Sequence, residues 1–204
     1  SEGRPVSAKF AADLGDPDSV ANDIPALLFD RGLSDAFPEG VKKAASHVQA
    51  GLAKPGVDPR GRVDLRNRLI MTIDPATAHD YDDAVSLEPL PNGRWKLGVH
   101  IADVAAYVEP GSEIDREAFH RGNSTYLVDR VIRMLPQDLT VRVCSLQANE
   151  DHLAHTVEIV FDEHGHALES KTYRSLIRSQ ACLSYEKVQA FFDTARPQRV
   201  AEEI

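Results

Sequence analysis

The chain has 204 residues, 42% of them hydrophobic, and a formal net charge of -9, enough for one core with a small helical appendage. That acidity opposes nucleic-acid binding by the chain alone, since backbone affinity comes mainly from Lys and Arg neutralising phosphates. Two cysteines are too few for a disulfide framework or a zinc site and fit a reducing cytoplasm; no apolar run reaches a membrane span, and Ser1-Glu-Gly-Arg-Pro5 lacks the apolar core of a signal peptide.

Residues 1–23 are polar and read as a strand end followed by a loop around Gly15, Pro17 and Asp18. Residues 24–31 and 40–52 are predicted helices, the second carrying Val41, Ala44, Ala45, Val48 and Leu52 at helical spacing. Residues 54–60 hold two prolines and a glycine and read as a linker, so 1–60 is expected to be a helical connector and 61–204 the main body. From Arg62 onward strand signals dominate. Residues 69–73 form an apolar, partly β-branched run, and 84–90 with 94–99 flank Pro91-Asn-Gly93, a strong hairpin signal. Residues 112–120 are a predicted short helix with Ser112 as N-cap and Gly122 beyond its end. Residues 156–162 and 167–175 surround His164-Gly165 as a second hairpin, and 183–193 is a predicted helix capped by Ser184.

The densest charge lies between apolar flanks: Asp74, Asp80, Asp82 and Asp83. Two carboxylates 4 Å apart repel by about 1 kcal/mol in bulk water and about 4 kcal/mol at an effective dielectric near 20. Four beside buried strands would protonate or splay apart without cations, and hard oxygen donors suit magnesium or manganese. Asp74 ends the run 69–73, where Pro75 stops further ladder pairing. If 80–87 is extended, Asp80 and Asp82 share one side and Asp83 needs a bulge or turn to join them. An acidic loop is often only a solvated one. A calcium loop of the EF-hand type is excluded, because Ala76, Ala78 and His79 stand where oxygen ligands and a glycine are required. Asp-x-Asp-Asp also occurs in some terpene cyclases and loosely in Asp-nucleophile phosphatases, which place it differently and lack the earlier Asp.

The blocks Arg62-Val-Asp-Leu-Arg66, the acidic stretch, Leu97-Gly-Val-His-Ile-Ala-Asp-Val104, Arg121-Gly-Asn-Ser-Thr-Tyr-Leu127, Met134-Leu-Pro136 and Cys144-Ser-Leu146 stand in an order and spacing that resembles the ribonuclease II and ribonuclease R family. The likeness is to the N-terminal part of its catalytic RNB domain. It runs from about Gly61 to Tyr185, with a weaker lead-in at Leu14-Gly-Asp16 and Phe37-Pro-Glu39. The resemblance implies an α/β (α+β) fold with a mixed, mainly antiparallel sheet and packed helices. It also implies hydrolysis of single-stranded RNA from the 3′ end to nucleoside 5′-monophosphates. Mg2+, with Mn2+ as an alternative, would be held by Asp74, Asp80, Asp82 and Asp83, Asp82 being the catalytic carboxylate. Tyr126 matches the RNA-binding tyrosine that packs on the terminal nucleotide.

Arg133 departs from the pattern, standing where the family usually has proline. The family's domain also continues well beyond the position of Ile204, adding a phosphate-contacting arginine, a metal-adjacent glutamate and flanking RNA-binding barrels. The chain is therefore expected to be a fragment or truncated form, poorly active alone. The alternative is a non-catalytic RNA-binding or assembly module that keeps the fold; a different metal phosphoesterase ranks third. Four mutually repelling carboxylates favour the enzyme, whereas the early terminus favours the module.

Other residues carry two readings each. His100 and Asp103 could be ligands or a proton relay, or a structural hydrogen-bonded pair of positions. Arg62, Arg66 and Arg121 could touch RNA phosphates or the acidic cluster. Tyr126 could be a stacking platform or core, and Cys144 reads as a buried small hydrophobe.

Overall fold

The computed structural model describes residues 10–16, 18–19, 22–52, 61–128 and 130–194. The expected linker 54–60 and most of the expected N-terminal strand end lie outside them. Four helices, α1 (Asp23–Asp30), α2 (Glu39–Leu52), α3 (Glu113–Arg121) and α4 (Tyr185–Thr194), accompany nine strands. These are β1 (Val63–Asp64), β2 (Met71–Asp74), β3 (Asp83–Pro89), β4 (Trp95–Ala102), β5 (Thr125–Tyr126), β6 (Val131–Ile132), β7 (Asp151–Phe161), β8 (Ala167–Arg178) and β9 (Ala181–Ser184).

Seven strands form one sheet in the order β1-β8-β7-β4-β3-β2-β9, and β5 pairs with β6 alone. The two outermost pairs, β1 with β8 and β2 with β9, are parallel; the four between them are antiparallel. The mixed, mainly antiparallel α/β architecture expected from the sequence is the one found. The β3–β4 hairpin turns at Asn92 and Gly93, both with positive φ, 63° and 69°. Asn and Gly tolerate that conformation best, which is why the dipeptide reads so clearly as a turn. Helix α3 begins at Ser112, whose hydroxyl accepts from Asp115 N, and stops at Gly122 with φ 76°.

Other boundaries move. β7 begins at Asp151 rather than 156, and β4 runs to Ala102 rather than 99. Residues 181–184, whose end was expected to enter the last helix, form β9 beside β2, and α4 follows at once with Ser184 Oγ accepting from Lys187 N at 3.2 Å. A π-helical segment, Asp138–Val143, buries Leu139 and Val143 and packs against α2. The core joins α2 (Val41, Ala45), α3 (Ile114), that segment, and sheet residues including Ala84, Ala102, Ala154 and Ile177.

The middle of the sheet is polar. Ser86 of β3, His100 of β4, Thr156 of β7 and Ser175 of β8 are linked by side-chain hydrogen bonds of 3.0, 2.8 and 2.6 Å. Gly98 makes room for this chain, since a Cβ there would stand 2.4 Å from Ser86 Oγ and 2.9 Å from His100 Nε2. Burial, then the nearby Arg68 charge, pulls His100 down to about 4, so the imidazole is neutral at physiological pH and acts as a core hydrogen-bonding group.

Arg62, just before β1, reaches beneath the sheet. Its Nη2 donates to Asp103 Oδ2 at 2.6 Å, and its Nη1 donates to the carbonyls of Ala154 and Ser175 at 3.2 and 3.3 Å. Both side chains of the ion pair are only 7% exposed. Removing one member of a buried pair strands the other charge, at about 3–5 kcal/mol, whereas replacing both with apolar groups is often near neutral. Arg62→Met should therefore lower the unfolding free energy by about 3–5 kcal/mol in urea titration, and Arg62→Met with Asp103→Leu should recover much of that loss. Equal losses in the single and double variants would show that the ion pair does not hold this end of the sheet.

Candidate active site

Asp74 closes β2 in register with Ser184 of β9. Side chains two apart on a strand share a face, so Asp74 lies with Thr72. Thr72 Oγ1 and Asp74 Oδ2 are both buried without a well-formed hydrogen bond among the described residues, and the only interaction between these two side chains is a loose one from the Thr72 hydroxyl to the Asp74 carboxyl. Burial raises the Asp74 carboxyl; the Thr72 hydroxyl opposes that rise, and the charges of Asp83 and Asp80 add to it. An unsatisfied buried carboxylate oxygen is costly unless a cation or proton meets it.

After a turn closed by Ala78 N donating to Pro75 O, the chain passes through His79–Asp82 as a loop rather than as a strand. Tyr81 N donates to Ser145 Oγ at 3.0 Å, Ser145 Oγ donates to His79 O at 3.2 Å, and Leu146 N donates to Tyr81 O at 2.8 Å. The fully buried Ser145 thus fixes the loop from the end of the π-helical segment. Asp82 O accepts from Ala102 N at 2.9 Å, and Asp83 opens β3 opposite Ile101. The extended geometry expected from Asp80 onward is corrected accordingly: the strand begins at Asp83, and strand alternation does not relate Asp80 to Asp82. Tyr81 spends its backbone groups on Ser145 and Leu146, not on β4. The sequence showed the Cys144-Ser-Leu146 block but gave Ser145 no role.

Burial, then the charges of Asp80, Asp83 and Asp74, raises the Asp82 carboxyl, with Arg133 opposing. The four aspartates therefore share one electrostatic environment. Among the described residues, no group of three or more His, Cys, Asp or Glu side chains is already close enough together to hold a metal ion. The donor set, hard carboxylates with one orphaned buried oxygen, fits a divalent cation by chemistry. Asp80 is the one turned to a protein cation, Arg133 Nη1, at 2.9 Å.

The remaining candidates separate cleanly. Arg62 and Asp103 are the buried pair of the sheet, and His100 belongs to its polar row. Arg66 pairs with Asp64 at 2.6 Å and Asp151 at 3.0 Å. Arg121 stacks on Phe37 at 3.8 Å, pairs with Glu117 at 2.8 Å and donates to the carbonyls of Ser34, Ala36 and Arg133. All three arginines are engaged structurally, away from the acidic loop. Cys144 is buried, and its thiol is pushed up to about 12 by burial and by the Asp82 and Asp103 charges, leaving a small inert group. Tyr126 is 73% exposed on the β5–β6 hairpin, opposite Val131, so it is not a core residue of this chain.

Comparison with known proteins identifies the family and the fold. The RNB domain matches residues 62–204. Ribonuclease R of Thermotoga maritima is 43% identical over 195 residues, covering 95% of this chain and 27% of that protein. Among solved structures, Mycoplasma genitalium RNase R in complex with ribose methylated single-stranded RNA superposes with a TM-score of 0.79 at 31% identity, over 90% of this chain and 28% of that one. Yeast Ssd1, described as a pseudonuclease, shares the fold with a TM-score of 0.72 at 19% identity, over 92% of this chain and 24% of that one. The chain spans about a quarter of the length of the relatives it matches. With its matched segment, its sheet and its ordered blocks in agreement, the chain belongs to the RNB domain family of ribonucleases II and R.

Proposed function

We propose that this chain carries the acidic part of a magnesium-dependent exoribonuclease site that shortens single-stranded RNA from its 3′ end to nucleoside 5′-monophosphates. One observation carries the reading: Asp74 and Asp82 are raised by burial and by each other's neighbours, and Asp74 Oδ2 is buried without a well-formed hydrogen bond. A protein gains nothing from such crowding unless a cation is bound there. Relatives named ribonuclease R, and the RNase R solved with single-stranded RNA, support RNA as the substrate. The non-catalytic RNA-binding module is the second reading, favoured by the shared fold of a pseudonuclease.

In the proposed mechanism Asp74, Asp80, Asp82 and Asp83 would hold Mg2+, or Mn2+ in its place. Held there, the cation would supply Lewis-acid stabilisation of charge developing on the phosphoryl oxygens. Asp82, fixed through its own carbonyl by Ala102, orients the attacking water by accepting its hydrogen bond. Tyr126 offers an exposed ring to the terminal base, a contact worth about 1–3 kcal/mol that any base can make. The net charge of -9 leaves phosphate neutralisation to metal and to basic surfaces elsewhere in the intact protein, whose reducing cytoplasmic setting is part of the same proposal.

The raised Asp74 and Asp82 values fix the sign of the pH response. Stability from these groups is fully present below the ordinary carboxylate value near 4 and is lost as pH rises through the raised folded values. In chelator at neutral pH, Asp82→Asn should therefore stabilise the chain by up to about 1 kcal/mol, a gain that vanishes near pH 3.5. Millimolar magnesium should raise the parent melting temperature by about 2–4 °C and raise that of Asp82→Asn less. Identical melting curves with and without metal would count against a formed site.

Activity is read with 5′-labelled single-stranded RNA and the full-length protein. Products should shorten progressively from the 3′ end in magnesium and not in chelator, and Asp82→Asn should slow them at least about a hundredfold. Tyr126→Ala should change the length of the final product while leaving magnesium stabilisation intact. Intact RNA after incubation with the parent protein would favour the binding module over the enzyme.

A further inference from the structure

Arg133 stands at the junction of the two features that the proposed site needs, the acidic loop and the hairpin that carries Tyr126. It follows β6 directly, and the peptide that joins it to Met134 is anchored at both polar atoms: the Arg133 carbonyl accepts from Arg121 Nη1 at 3.2 Å, and Met134 N donates to Ser124 Oγ at 3.0 Å. From this fixed base the guanidinium reaches Asp80 Oδ2 at 2.9 Å. Among the described residues Asp80 is the only one of the four site aspartates in an ion pair. The pair is half-exposed, its side chains 24% and 30% accessible, so neither partner is locked by the core. Arg133 also borders a cavity of about 600 Å³ whose wall has mixed charge, with Asp35 and Asp138 beside Lys42 and Arg142.

We propose that Arg133 is a positioning residue that acts as an internal counter-ion for Asp80, competing with the divalent cation for that carboxylate and so setting the metal affinity of the site. Arg133 occupies one oxygen of Asp80, Oδ2, and its positive charge opposes a divalent cation at the same carboxylate. A cation at Asp80 Oδ2 would therefore weaken or displace the Arg133 contact, and the adjoining cavity gives the displaced side chain space. The same contact relieves part of the repulsion among the carboxylates around Asp80. The inference rests on the metal site proposed above.

The test is manganese affinity, measured in the full-length protein by the electron paramagnetic resonance signal of free Mn2+, as a double-mutant cycle of Arg133→Gln and Asp80→Asn. Arg133→Gln should tighten Mn2+ binding about tenfold in the parent background and less than about twofold in the Asp80→Asn background. Arg133→Met serves as the second neutral variant if Arg133→Gln fails to fold, with the same expected cycle. Equal tightening in both backgrounds would mean that Arg133 acts only through its general field, and unchanged or weaker affinity would mean that it does not compete; each overturns the proposal while leaving the metal site standing. Absence of Mn2+ binding in the parent and in both neutral variants would overturn the metal site and this inference together.

Discussion

The Arg62–Asp103 ion pair is the constraint on which the rest of the molecule is arranged. Arg62 touches the carbonyls of β7 and β8 and the carboxylate just past β4, so one side chain ties three neighbouring strands at the same end of the sheet. Asp103 in turn sends its backbone N–H to Leu153 O, and the preceding residue, Ala102, holds Asp82 by its carbonyl. The buried pair is thus two links of covalent and hydrogen-bonded structure away from the carboxylate proposed to act on RNA. A charge buried for architecture and a charge exposed for chemistry are spaced by the strand end between them.

That arrangement explains how an acidic chain keeps its cations away from its own site. Arg62, Arg66, Arg68 and Arg121 are each committed to carboxylates elsewhere in the fold: Asp103, Asp64 with Asp151, Glu158, and Glu117. If these side chains faced the acidic loop they would neutralise it without a metal. With them engaged elsewhere, the loop keeps a negative field, and among the described residues Arg133 is the one guanidinium that pairs with a carboxylate of it.

What could be read in the sequence was what local chemistry decides. Asn92-Gly93 turns because those two residues accept positive φ, and Ser112 and Gly122 bound α3 through their own hydroxyl and missing Cβ. The four aspartates were visible as a cluster and through the family blocks around them. Their relative placement was not, because the loop carrying Asp80 and Asp82 is set by Ser145, sixty-four positions along the chain. β9 was hidden for a similar reason: residues 181–184 are four short apolar and polar positions whose strand state comes from β2 beside them. The apolar run 69–73 pointed to β2, yet Leu69 is exposed and the ladder begins at Met71, since the pairing partners sit opposite 71–74.

The two parallel pairings at the margins of the sheet have a consequence for the order in which the molecule assembles. Val63 meets Ser175 and Met71 meets Ala181, so each closes a loop of over about a hundred residues, whereas the β3–β4 and β7–β8 hairpins close locally. Local hairpins have little loop entropy to overcome and can form while the chain is still incomplete. β2, which bears Asp74, gains its outer partner only when β9 has been made. During synthesis the acidic cluster would therefore stay loose until nearly all the described chain is available, and tight capture of a cation would be among the last events of folding rather than a nucleus for it.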